Sequence, residues 1–275
     1  MRIFLLKVFT VLIISFFLQN NLYSQKIPSL QISIGITSPG GDLGGEFISV
    51  NDSGYYNISE DFVKNNYGIS TGITVAGSIV FPFDEKNLLN FIFSGEYTNM
   101  NSFKRSIFGI TKVNGIEVPI TYDNAFSGSM FGLGLSTNPA VGKKLSLYVN
   151  SIMTMNFLSL SFTQNDVFKT YFSDSFRMGI KSGAGINYKL TNEYSLLLGG
   201  SYHFSNLFFK SVHGDFNDRL ESNVENLSIN DEEGSFYTNL SDPDNGFQLV
   251  NGKKKNIDLW SINVGIVIFL GKSKK

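Results

Sequence analysis

From Phe176 to Leu190 apolar and polar residues alternate without a break. Phe176, Met178, Ile180, Ser182, Ala184, Ile186, Tyr188 and Leu190 fall on one side, and Arg177, Gly179, Lys181, Gly183, Gly185, Asn187 and Lys189 on the other. A period of two marks a β-strand with one apolar and one polar face. The segment is longer than a typical strand of about 5–6 residues. It exceeds the roughly 9–11 tilted residues needed to cross a bilayer.

The same test predicts strands over 29–37, 67–81, 88–98, 126–136, 145–162, 176–190, 194–204 and 258–270. Ile32, Ile34 and Ile36 share a face in the first; Tyr67, Ile69, Ile73, Val75, Ile79 and Phe81 do so in the second. Trp260, Ile262, Val264, Ile266, Ile268 and Leu270 do so in the last. Within 126–136, Gly128, Gly132 and Gly134 blur the faces, and the apolar face of 145–162 switches near Ser151, which predicts a bulge or an overlong strand. The connectors alternate in length. Those over 38–66, 99–125, 163–175 and 205–257 are long, whereas 82–87, 137–144 and 191–193 are short and carry turn residues such as Pro82-Phe83-Asp84 and Asn138-Pro139. Long loops at one end and tight turns at the other are the arrangement of outer-membrane barrels. Asn114-Gly115 separates 106–113 from 116–122 and predicts a two-residue hairpin turn. Each arm is shorter than a spanning strand, so the hairpin is expected to stand above the barrel, giving eight strands rather than ten.

The N-terminus changes the picture. Arg2 and Lys7 precede an apolar run over 8–18, and Leu22-Tyr23-Ser24 supplies a small residue before Gln25. This is the layout of a secretory signal over 1–24, cleaved to leave 25–275 as one barrel domain. The apolar run is too short for a spanning helix, and no other such run follows. With Cys 0 there is no lipid-anchor cysteine, disulfide or thiolate metal site. Gly 27 and Phe 26 beside only 16% charged residues is an unusual balance for a soluble surface. A net charge of −1 gives no ground for nucleic-acid binding.

On the signal, the strand pattern, the loop alternation and the closing strand from Trp260 to Leu270, the chain resembles the small outer-membrane β-barrel proteins, the OmpA/OmpX-type and PorT-like eight-stranded group. It departs from them where Phe269 is followed by Leu-Gly-Lys-Ser-Lys-Lys rather than ending on an aromatic residue. The resemblance implies an all-β, eight-stranded antiparallel up-and-down transmembrane barrel in the bacterial outer membrane. It implies a monomer surrounded by outer-membrane lipid and lipopolysaccharide, with no cofactor. The group has adhesive, secretion-associated, structural and enzymatic members, so a shared fold does not choose among them.

Several residues carry candidate chemistry. Glu96, Arg177, Lys181, Lys189 and His203 fall on predicted lumen faces. An eight-stranded lumen is just wide enough to be filled by side chains, and buried charges must pair, so Glu96 is expected to meet Arg177 or Lys181. The alternative is a narrow channel. His203-Phe204-Ser205-Asn206 resembles the His-x-Ser-Asn element of PagL-type lipid A deacylases. That resemblance implies His203 as base, Ser205 as nucleophile and an acid such as Glu221 as orienter, but the Asn-Pro-Gly segment is missing and both side chains face the lumen. Asp242-Pro243-Asp244-Asn245-Gly246 fails as a calcium loop because Phe247 and Lys253 occupy the glycine and glutamate positions; it reads as a turn. His203 and His213 lack partners at metal-ligand spacing, and Lys253-Lys254-Lys255 reads as a solvated charge run. Tyr67, Tyr97, Tyr194, Tyr202 and Trp260 fall near strand ends, where a barrel carries its interfacial aromatic residues.

The function expected from these features is non-enzymatic: a barrel that anchors loops contacting a protein partner, in adhesion, envelope integrity or a secretion assembly. The acidic and Asn/Ser-rich last loop is the candidate contact surface. A lipid A-modifying hydrolase, a narrow channel and a soluble barrel with its faces reversed are the alternatives.

Overall fold

The computed structural model describes residues 27–50, 56–59, 61, 64–83, 88–101, 106–113, 116–164, 168–212, 227–238 and 248–271. The signal over 1–24, Asn114-Gly115, His213, Glu221 and the 242–246 turn lie outside the described residues. The barrel strands are β1 (Ser29–Gly41), β2 (Gly72–Pro82), β3 (Asn90–Asn101), β4 (Ile116–Thr137), β5 (Leu145–Gln164), β6 (Phe168–Lys189), β7 (Tyr194–Phe208) and β8 (Ile257–Phe269). Each pairs antiparallel with the next, and β8 pairs with β1, which closes the barrel. Closure removes every free sheet edge from the ring. This is a small up-and-down β-barrel.

The period-two pattern becomes a partition between inside and outside. Ile32, Ile34 and Ile36 of β1, Leu196 and Leu198 of β7, and Ile262, Val264 and Ile266 of β8 point outward and are exposed, Ile262 to 72%. Thr37, Thr74, Glu96, Asn156, Arg177, Lys181, His203 and Ser261 point inward and are buried. An exterior of exposed large apolar side chains around a buried polar interior inverts the arrangement of a soluble protein.

The interior is packed. Near the turn end Val80, Ile92 and Ile152 form an apolar cluster. Above it a belt of hydroxyls joins β8, β1, β2 and β3: Thr37 Oγ1 lies 2.7 Å from Ser261 Oγ, and Thr74 Oγ1 lies 2.7 Å from Thr98 Oγ1, with Thr37 and Thr74 bonded between them. Tyr148 on β5 lies inside the barrel over β6 and reaches β7. A Cβ on Gly199 would lie 1.8 Å from its hydroxyl, and one on Gly185 would lie 2.6 Å from its ring. Gly199→Val is therefore expected to destabilise the barrel by about 1–3 kcal/mol through overpacking, read as a lowered urea midpoint of the reconstituted protein. Two spaces among the described interior residues, about 50 Å³ and 30 Å³, have room for a few waters.

Four local expectations are corrected. β2 begins at Gly72, and 67–70 leaves the ladder. Tyr67, Gly68 and Ile69 instead donate their backbone N–H groups to Asp42, Gly44 and Leu43, which turns Tyr67 and Ile69 inward. β5 is the overlong strand of the two alternatives, 20 residues without a change of face at Ser151: its register with β4 is continuous, and the shift against β6 lies between Leu158 and Leu160. The apparent switch arises because Ile152, Leu158 and Leu160 are apolar residues on the inner face. The stretch 163–175 is not loop throughout, since β5 and β6 stay paired out to Gln164 and Phe168. Finally, Lys189 is exposed at the end of β6 and not in the lumen, whose last buried position on that strand is Asn187. The hairpin expected around Asn114-Gly115 is present: 106–113 pairs with the first part of β4, and neither arm adds a strand to the ring.

Candidate functional site at the capped end of the barrel

The turns over 83–89, 138–144 and 190–193 join strands at one end of the barrel. At the other end, connector residues fold back over the mouth. Leu43, Phe47, Tyr67 and Ile69 from the β1–β2 connector meet Ile229 and Phe236 from the β7–β8 connector. Together they pack on Met100, Phe126, Leu158, Leu160, Ile257 and Leu259 of the strands. Apolar residues set in polar connectors thus make a small core of their own that closes the mouth. Gly68 (φ 59°) permits the fold-back. A Cβ there would lie 2.6 Å from Cβ of Phe47, so a larger residue would meet both strain and a clash.

Asp231 holds this cap to the wall. It is 0% exposed, and its carboxylate accepts four hydrogen bonds. Arg177 Nε donates to Oδ2 (2.8 Å) and Nη2 to Oδ1 (2.7 Å); Asn206 Nδ2 donates to Oδ2 (2.8 Å) and the Ser211 N–H to Oδ1 (3.0 Å). The guanidinium also donates to Ser211 Oγ and to the carbonyls of Ile229 and Phe176. A two-pronged ion pair with its remaining valences filled is the arrangement in which burial of both charges is tolerated.

Lys255 lies beside it and is also 0% exposed, which corrects the reading of 253–255 as a uniformly solvated run. Its Nζ donates to the Asn230 carbonyl (2.8 Å) and sits 5.2 Å and 5.5 Å from the ring centroids of Tyr67 and Phe236, within cation–π range. Lys253 and Lys254 are the exposed members, paired with Asp42 (3.0 Å) and Glu232 (3.3 Å). Burial lowers the Lys255 ammonium to about 8, against the opposing fields of Asp231 and Asp42. Burial likewise holds the Tyr67 phenol well above its usual range, with Asp231 adding to the effect.

These shifts give the cap a pH dependence of defined sign. Between about 8 and the ordinary 10.5 the unfolded chain binds more protons at Lys255 than the folded one, so cap stability rises with pH in that window. Above the ordinary 10.0 of tyrosine the raised Tyr67 reverses the trend. From pH 7.5 to 9.5 the cap is expected to gain about 2 kcal/mol. The measurement is proteinase K nicking of the cap, normalised to an unstructured substrate; an equal slope in Lys255→Met would refute the assignment to Lys255.

The structure brings Glu96 and Lys181 together as a buried ion pair, while Arg177 is committed to Asp231 and not to Glu96. His203 Nε2 lies 3.1 Å from Thr154 Oγ1. Ser205 Oγ donates to the Ile257 carbonyl (2.8 Å). Asn206 accepts from the Ile257 N–H (2.8 Å) and donates to the Lys255 carbonyl (3.0 Å). The His-x-Ser-Asn segment therefore latches the start of β8 and the cap to β7, and its His and Ser are buried on the inner face. Tyr97, Tyr194 and Trp260 are outward and exposed, and Tyr202 stacks edge-on against Trp260 (4.5 Å) and Phe204 (4.8 Å). Tyr67 is the exception: it is buried under the cap, donating its hydroxyl to the Asn230 carbonyl (3.0 Å), because the chain leaves the sheet before β2. Asp231 and the role of Lys255 have no signature in the sequence beyond apolar Ile229 and Phe236 inside a polar connector.

No family model matches the chain, and no curated protein does either. Among solved structures it is similar to Neisserial surface protein A (13% identity, TM-score 0.40), covering 88% of this chain and 96% of that one. It is similar to the outer membrane protein OprG of Pseudomonas aeruginosa (9%, TM-score 0.40; 88% and 96% covered). It is also similar to Ail, the attachment invasion locus protein of Yersinia pestis (11%, TM-score 0.36; 87% and 98% covered). Likeness at this level says nothing of ligand, partner or activity.

Proposed function

We propose that this protein is a non-enzymatic outer-membrane barrel with a closed lumen, whose capped end faces outward from the cell and presents the connector surface to a protein partner. The observation that carries the reading is the inverted partition: a closed ring with exposed Ile, Leu, Val and aromatic side chains outside and paired charges inside. In water that exterior would aggregate; in hydrocarbon it is the stable arrangement. Tyr97, Tyr202 and Trp260 toward one rim and Tyr194 toward the other are placed for the two interfaces of such a belt. Lipid and lipopolysaccharide then surround a monomer, and export uses the signal over 1–24.

Closure of the lumen has two supports in series, the cap core and the Glu96–Lys181 pair with its neighbours. Purified protein in planar bilayers is expected to give no conductance steps, and regular steps would overturn the closed-lumen reading. Orientation is tested by a membrane-impermeant amine reagent on intact cells. Lys253 and Lys254 are expected to be labelled; modification of Lys143 and Lys144 in their place would reverse the orientation. Against a lipid A hydrolase stand the inward, hydrogen-bonded His203 and Ser205, and lipid A mass spectra are expected to be the same with wild type and Ser205→Ala.

A further inference from the structure

On the outer face, one band of strand positions is built from small residues. Ser151 pairs across strands with Ser182, and Ala184 with Gly200. Leu135, Tyr202 and Trp260 flank the first row, and Val149 and Ile262 flank the second. The result is an open furrow of about 1050 Å³ that crosses β4 to β8 and reaches β1, its accessible surface mostly apolar although Ser, Thr and Asn residues share the lining. Below it, at the turn end, the chain places Lys144 beside Lys189: the Lys189 N–H donates to the Lys144 carbonyl (2.7 Å). The Lys144 ammonium lies 6.0 Å from the Tyr188 ring centroid, and Lys143 is the adjacent exposed residue. Lys253 and Lys254 at the capped end are matched by Asp42 and Glu232. Lys143, Lys144 and Lys189, by contrast, make no ion pair among the described residues, and Glu193 is the described acid in the neighbouring turn.

We infer that this face is a binding site for one anionic phospholipid of the leaflet on the turn side, its phosphate on Lys144 and Lys189 and an acyl chain in the furrow. The inference rests on the membrane-spanning reading above. Charge complementarity selects the headgroup, because unmatched ammonium groups at a bilayer surface attract anionic lipid. Geometry selects the chain. Ser151 lies seven residues along β5 from Lys144, roughly 15–20 Å of depth for a tilted strand. That is about half of a hydrocarbon core of ~30 Å, so a chain anchored at the rim reaches the furrow. The outward leucine and isoleucine side chains at Leu147 and Ile186, between rim and furrow, give a continuous apolar path.

The test is native mass spectrometry of the whole protein released from phosphatidylethanolamine vesicles doped with phosphatidylglycerol, with heat-dependent migration recorded for every sample. Wild type is expected to retain phosphatidylglycerol preferentially. Lys144→Ser with Lys189→Ser is expected to weaken retention by about fivefold per lysine, the equivalent of about 1 kcal/mol each. Ala184→Leu with Gly200→Leu fills the furrow and is expected to abolish preferential retention with the lysines intact. A Cβ on Gly200 meets only the Ser261 carbonyl at 3.5 Å, so this variant has room to fold. Equal retention in wild type and both variants, all still heat-modifiable, overturns the lipid site and leaves the barrel reading standing. Wild type with no heat-dependent shift removes both.

Discussion

Asp231→Ala is expected to release the β7–β8 connector from the barrel mouth while leaving the barrel closed. The substitution deletes the acceptor of four hydrogen bonds and strands the buried Arg177 guanidinium. Breaking one side of a buried ion pair costs about 3–5 kcal/mol, a large fraction of the roughly 5–15 kcal/mol that stabilises a whole domain. The loss falls on the cap because Asp231 belongs to the connector, whereas Arg177 belongs to β6 and is held there by the ladder. Proteinase K is therefore expected to cut the connector rapidly in the variant and slowly in wild type, with the same heat-dependent migration in both. Asp231→Asn should lie between them, since the amide keeps one acceptor oxygen but not the charge. If Asp231→Ala resists the protease as well as wild type does, the apolar contacts of Ile229 and Phe236 hold the cap unaided.

The second large effect is expected inside the lumen. Lys181→Met leaves the Glu96 carboxylate buried, with the Thr98 hydroxyl at 3.5 Å as its remaining side-chain donor among the described residues. An unpaired buried charge costs about 3–5 kcal/mol, so the urea midpoint of the reconstituted protein should fall steeply. Glu96→Gln combined with Lys181→Met should recover most of the loss, because removing both charges removes the desolvation cost along with the attraction. A double variant as unstable as the single one would mean that packing volume, and not charge, is what the pair contributes.

The barrel was legible in the sequence because membrane-type strands write both faces into every second residue. β6 and β8 show it best, with polar lumen residues such as Arg177, Lys181 and Asn263 set against Ile180, Ile186, Ile262 and Val264. The pairing of Glu96 with Lys181 was open between two cations on one face of β6, and alternation cannot choose between them. The cap was not legible for a different reason. Period two describes a residue's side of a sheet, and Tyr67, Asp231 and Lys255 leave the sheet, so their burial depends on contacts 54 residues apart in the case of Arg177 and Asp231. Lys189 was misplaced by the opposite error: the alternation runs past the point where the lumen ends. His203-Phe204-Ser205-Asn206 is a related case, since the residue types that suit a hydrolase also suit a latch. Only the partners, Thr154 and Ile257 in place of a substrate-facing dyad, distinguish the two.

A bilayer covering the exposed apolar exterior is what the proposed function requires before anything else. Its most direct test is the electrophoretic migration of the protein from isolated outer membranes, with and without boiling. Recovery in the membrane fraction and faster migration of the unboiled sample are expected, as a closed barrel keeps its compact form in detergent. Recovery from the soluble fraction, with identical migration before and after boiling, would contradict a bilayer-covered exterior.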